Sequence, residues 1–99
     1  MSDAIAITHN ESGSKGRYEA RVHGRDGLGE LTYSRISPSQ IIADHTGVDD
    51  SLRGTGVARA LVERLVADAR SEGFTIVPVC SFVVAQYERH PEWSDVMEA

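Results

Sequence analysis

Residues 53–69 read Arg-Gly-Thr-Gly-Val-Ala-Arg-Ala-Leu-Val-Glu-Arg-Leu-Val-Ala-Asp-Ala, and two physical signals meet there. Gly54 and Gly56 flank Thr55, and glycine permits positive φ and close approach of another group to the backbone. From Val57 the period becomes helical. Val57, Ala58, Leu61, Val62, Leu65, Val66 and Ala69 recur on one side, while Arg59, Glu63, Arg64, Asp68 and Arg70 fall on the other. That pattern predicts an amphipathic helix of about four to five turns. Gly73 stands where its C-terminal cap belongs. A glycine turn opening a helix gathers unpaired amides and a partial positive charge at one point, which suits a phosphate. Arg53 adds a full charge beside it.

Outward from this stretch the pattern is that of strands. Residues 41–48 form an apolar-rich run ending at Asp49-Asp50-Ser51, and residues 74–79 form another on the far side of the helix. Strand, helix and strand make a parallel crossover unit over residues 41–80. Pro78 cannot donate to a ladder, so the second strand lies at an edge or leaves its neighbour there. Before this unit, Tyr18, Ala20 and Val22 alternate with Glu19, Arg21 and His23, and after the glycine-rich turn at residues 24–29 Leu31 and Tyr33 resume the alternation in a second strand that could extend to Ile36. These predict a hairpin. Residues 4–8 make a first strand, and the Gly, Ser and Asn content of residues 10–16 predicts a turn region. Residues 82–89 form a second, short helix, ended by His90-Pro91. The fold class is α+β: a mixed, mostly antiparallel sheet with a central strand–helix–strand unit and a short C-terminal helix.

With 99 residues the chain predicts one domain. Its 40% hydrophobic and 25% charged residues are ordinary for a soluble protein. A net charge of −5 argues against a nucleic-acid module, which needs a basic face, and leaves basic proteins or amines open as partners. A single cysteine, Cys80, cannot form an intramolecular disulfide. No signal peptide and no run of about 20 apolar residues is evident, so a cytoplasmic location and no membrane partner are expected. His9, His23, His45 and His90 lack paired metal-ligand spacing, and no metal is expected.

The phosphate ligand can be narrowed. Val57-Ala58 follows the last glycine where a nucleotide-binding Walker loop needs Lys-Ser/Thr, and Arg59 stands where a dinucleotide fingerprint needs a small residue. The local residues alone also fit a tight structural turn that binds nothing. The flanking motifs add a resemblance. Arg53-x-x-Gly56-x-Ala58 matches the Gln/Arg-x-x-Gly-x-Gly/Ala pattern of the GNAT superfamily, in which the turn amides hold the pyrophosphate of coenzyme A. His45-Thr46-Gly47-Val48, Leu52 with the glycine turn, Pro78-Val79-Cys80-Ser81-Phe82-Val83 and the run from Tyr87 to Trp93 resemble the small YjdJ-like family of that superfamily in the same order. The resemblance spans roughly residues 28–96; Trp93 departs from it, since the family more often has Tyr there.

What the resemblance implies is a minimal GNAT fold that binds acetyl-CoA and passes the acetyl group to an amine. Arg53, Gly54, Thr55, Gly56, Val57 and Ala58 would hold the pyrophosphate. Thr46 and Val48, with His45 and Gly47, would border the cofactor through the main chain. Cys80 ends a strand and directly precedes a helix, a position that raises a thiol's reactive thiolate fraction. It would sit near the thioester, as a nucleophile or in a positioning role, unless it is an inert buried thiol. Tyr87 matches a tyrosine that many GNAT enzymes use to protonate the leaving sulfur; it could equally be a core aromatic. His45 could act as a base near neutral pH, with Glu92 a weaker candidate. Residues 8–18 are too short for the helical pair of larger members, which predicts an open acceptor groove suited to a protein lysine or a polyamine. Residues 10–15 roofing that groove would count against it. The competing readings are a non-catalytic acyl-CoA-binding module and an interaction protein whose turn is only structural.

Overall fold

The computed structural model describes residues 4–98. They form a five-stranded sheet in the order β1-β2-β3-β4-β5 with two α-helices. The strands are β1 (Ile5–Ser12), β2 (Lys15–Val22), β3 (Gly29–Ser37), β4 (Gln40–Val48) and β5 (Thr75–Pro78). Helix α1 (Val57–Glu72) connects β4 to β5, and α2 (Ser81–Arg89) follows β5. Strands β1 to β4 are antiparallel neighbours, and β4 and β5 are parallel. The α+β class and the mostly antiparallel mixed sheet are as expected.

The polar residues at 10–16 do not form the predicted turn region. The β1–β2 ladder runs through them to Ser12↔Lys15, leaving Gly13 and Ser14 as the whole loop. Gly13 has φ 61°, and a glycine at the first central position is what a two-residue hairpin of this hand requires. Asn10, Glu11 and Ser12 are polar because this end of the sheet is solvated; composition hid the strand.

Periodicity decides which face is buried. Tyr18, Ala20 and Val22 of β2, Leu31 and Tyr33 of β3, Ile41 and Ala43 of β4 and Ile76 of β5 are all buried. Against them lies the apolar stripe of α1: Val57, Leu61, Val62, Leu65, Val66 and Ala69. Gly73 ends the helix in the left-handed conformation, with its amide and that of Phe74 both donating to Ala69 O at 2.9 and 3.1 Å. The other face of the sheet carries Lys15, Arg17, Thr32 and Ser34, the alternate positions of the same strands.

Two local events position the site. Thr32 pairs with His45 but Tyr33 pairs with Ala43, so Asp44 is an extra residue in β4. Such a bulge bends the strand and re-aims its side chains. Ile41 and Ala43 face the helices before it, and Thr46 and Val48, opposite Leu31 and Gly29, face them after it. The second event is a parting of strands. Pairing of β4 with β5 stops at Ala43↔Pro78. The amides of Val79 and Cys80 both turn back onto Ala43 O, at 3.3 and 3.0 Å. Beyond this point β4 continues to Val48 with no strand on that side among the described residues.

Helix α1 sits close on β3. A Cβ built on Gly29 would stand 2.4 Å from Val57 Cγ1. Gly29→Ala is therefore expected to destabilise the fold by about 1–3 kcal/mol, the usual cost of overpacking a filled core, measured by urea denaturation. A second expectation concerns Glu11. Its carboxylate accepts Tyr33 Oη at 2.6 Å and Arg35 Nε and Nη2 at 3.1 Å. The Tyr33 bond, then the Arg35 bond, hold its pKa below the usual value. A lowered folded pKa contributes stability in full above the unfolded value of about 4.3, lost as pH falls through the folded value. The urea midpoint of the wild type should exceed that of Glu11→Gln most at neutral pH, and the difference should close in acid.

Candidate active site

The glycine turn has the backbone geometry that suits an anion. Gly54 and Gly56 have φ of 82° and 83°, which side-chain-bearing residues rarely adopt. The first helical bond of α1 runs from Ala60 N to Gly56 O at 2.9 Å. The amides of Gly56, Val57, Ala58 and Arg59 precede it, and no side chain caps this end. No acidic residue lies in the first turn either. The helix N-terminus thus keeps its donors and its partial positive charge.

A cavity of about 320 Å³ opens against this end of α1. Arg53, Gly54, Gly56, Val57 and Ala58 line it, together with Val48 from β4. Thr55 has a different part: its amide and hydroxyl both donate to Leu52 O, at 3.2 and 2.6 Å. It shapes the turn. Arg53 is exposed and paired with Asp50 at 3.0 Å. The structure adds lining residues that the sequence did not single out for this role: Phe82 from the first turn of α2, Arg59, and Asp49 and Asp50. Asp49 also accepts the Leu28 amide at 2.9 Å, tying the β2–β3 loop to the approach to α1. Phe82 was legible as the residue two past Cys80, but which way it faces depends on the angle of α2.

Where β4 and β5 part, Cys80 and Thr46 meet. Cys80 is the residue before α2 and is half-buried. Its thiol donates to Thr46 Oγ1 at 3.4 Å; as a thiolate, the sulfur would accept from the Thr46 hydroxyl instead. Burial pushes the thiol up, but the bond to Thr46 and those to the Val83 and Phe82 backbone outweigh it, so its pKa falls below the ordinary value. Tyr87 lies seven residues on, nearly the same helix face because seven residues drift only about 20°. Its side chain leans toward the start of α2, as helix side chains do. It packs partly buried against the core, and its hydroxyl has no hydrogen-bond partner among the described residues. His45 is not brought to this group. It pairs with Thr32 on the other face, exposed, with its ring beside Gly47.

Comparison with known proteins fits this arrangement. A family model described as GCN5-related N-acetyl-transferase matches residues 17–96. The chain belongs to this family. Among solved structures, that of a GCN5-like candidate N-acetyltransferase from Staphylococcus aureus, determined in solution by NMR, superposes with a TM-score of 0.65. The two are 30% identical, and the match covers 93% of this chain and 88% of the other. No curated protein matches significantly. Family membership supports acetyl transfer with acetyl-CoA as cosubstrate. Among the described residues no helix is long and apolar enough to cross a membrane, and no three His, Cys, Asp or Glu side chains could hold a metal ion.

The Cys80 environment makes a direct prediction. As the chain's sole cysteine, Cys80 reports alone in an alkylation assay. Its rate against pH should inflect below that of the same thiol in the urea-unfolded chain. Thr46→Val removes a donor to the thiolate and should move the inflection upward.

Proposed function

We propose that the protein binds acetyl-CoA and transfers its acetyl group to an amine, as a member of the small YjdJ-like branch that its motifs resemble. The observation that carries this is the meeting of two features on one strand end: an uncapped glycine turn with free amides, and a strand split that ends on a thiol of lowered pKa. The first suits a pyrophosphate. The second leaves an opening where a thioester could lie beside Cys80.

In the transfer, the neutral amine nitrogen attacks the thioester carbonyl carbon. The tetrahedral oxyanion collapses with cleavage of the C–S bond, the nitrogen loses a proton, and the coenzyme A thiolate gains one. Tyr87 is the candidate donor of that proton, because its hydroxyl is free and shares a helix face with Cys80. Cys80 either positions the thioester or accepts the acetyl group first, releasing coenzyme A before the amine attacks the new thioester. His45, on the other face, can serve only an amine approaching from that side. The hairpin at residues 10–15 continues the sheet at its β1 edge rather than folding across it, which supports an acceptor side that is not roofed over. That openness admits amines as large as a protein lysine or a polyamine.

Calorimetry with acetyl-CoA tests binding, and thiol release with amine acceptors tests catalysis; binding without release would leave an acyl-CoA-binding module. Gly56→Val forces a side chain into a positive φ and should weaken acetyl-CoA binding about tenfold or more. Tyr87→Phe should keep acetyl-CoA affinity and lower turnover about a hundredfold, the scale of a lost general acid. Unchanged turnover removes Tyr87 from the chemistry.

A further inference from the structure

The face of the sheet that α1 leaves uncovered carries a groove of about 480 Å³. Lys15, Arg17, Thr32 and Asp44 line it, with Asn10 and Ser12 from β1. Its charges are not equivalent. Arg17 is bonded to Glu19 and Glu30, each at 2.7 Å, so its charge is already matched. Lys15 and Asp44 are held differently. Lys15 Nζ donates to Ser34 Oγ at 2.8 Å, and that hydroxyl donates to Asp44 Oδ2 at 2.7 Å. The serine stands between cation and anion as a spacer. A direct ion pair would spend their bonding capacity on each other. Here the ammonium keeps two donors, and the carboxylate keeps an oxygen and most of its lone pairs. Polarisation along the chain strengthens both ends.

The result is a fixed cation and a fixed anion, side by side in one groove and each with free bonding sites. Asp44 is also the bulged residue directly after Ala43, whose carbonyl marks the split between β4 and β5. The anion thus stands at the end of the groove nearest the thiol, and the cation stands further off on β2.

We propose that this groove is the acceptor subsite and that it takes an amine carrying its own carboxylate nearby, that is, a free amino acid, with the ammonium on Asp44 and the carboxylate on Lys15. The proposal rests on the acetyl-transfer reading for what happens to the amine, though not for binding. The charge-assisted bonds at both ends are the strong kind. Of the amines an open face admits, a polyamine is the poorer fit: of the two carboxylates that line the groove among the described residues, Glu11 is paired with Arg35, which leaves Asp44, and Lys15 repels a second ammonium. A zwitterion presents the opposite sign to each partner.

The test is a ¹⁵N NMR titration of the full chain with alanine, ethylamine, propionate and putrescine, in the absence of acetyl-CoA. Alanine should shift the amide signals of Lys15, Ser34 and Asp44 saturably, and the other three should bind about tenfold or more weakly, each lacking one charge-assisted contact. Lys15→Met and Asp44→Asn should each weaken alanine binding about tenfold, with the remaining spectrum showing that the fold is kept. The proposal is overturned if alanine leaves those amides unmoved, if ethylamine or putrescine binds as well, or if neither variant matters. Calorimetry with acetyl-CoA is run separately. Failure there removes the donor reading and leaves the titration to decide the groove.

Discussion

The parting of β4 from β5 is the constraint on which the rest of the site depends. A parallel pair is normally continued by evenly spaced, slanted hydrogen bonds. Here the ladder reaches Pro78, which has no amide to give. The next two amides, of Val79 and Cys80, converge on Ala43 O. One carbonyl receiving both is the knot that ends the sheet at this edge. Past it, the peptide groups of residues 44–48 have no neighbouring strand on that side among the described residues, and backbone polar groups require partners. Water can supply them, and so can a ligand arm with amides of its own. A purely apolar ligand would leave them unpaired.

The knot also fixes direction. Because Cys80 is tied to Ala43, α2 must start at the mouth of the split, with Phe82 toward the glycine turn and Cys80 toward Thr46. On the other side, Gly29 lets Val57 settle against β3, and this holds the N-terminus of α1 beside Val48. The two helix starts thus flank one strand end. Their fields add there although the chain as a whole carries −5. Net charge describes how the molecule meets other macromolecules at a distance; over a few ångströms, unpaired amides decide.

Much of this was legible in the sequence, for identifiable reasons. The glycine turn and α1 stand out because their signals are local: two glycines, a 3.6-residue period and a capping glycine at 73. Pro78 announced the parting of strands, since a missing amide has only a few structural consequences. The first hairpin was hidden because its solvated end is written in turn-like residues. The bulge at Asp44 was hidden for a deeper reason. Strict alternation through residues 41–48 places Asp44 and His45 on opposite faces and aligns Thr46 with Ile42, whereas one extra residue reverses the parity from there on. Cys80 meets Thr46 and Val48 lines the cavity at the start of α1, whereas His45 goes to the other face.

That reversal separates two chemistries that one strand must serve. Before the bulge, β4 gives Ile41 and Ala43 to the core; after it, the same face receives Thr46, beside Cys80, and Val48, at the cavity by the start of α1. The opposite face gains Asp44 and His45 within a few residues. A regular strand would have to surrender either core packing or the polar partner of Cys80, because the period of two binds every position to its neighbours. One inserted residue breaks that bond. With a single helix layer covering the sheet, the uncovered face needs no apolar residues and is free to hold charged ones such as Lys15 and Asp44. A chain of 99 residues has a thin core, and it keeps that core on one face while leaving the other to polar and charged side chains. On the proposed reading, the donor approaches from the helix side and the acceptor from the open side, with the split between β4 and β5 as the passage between them.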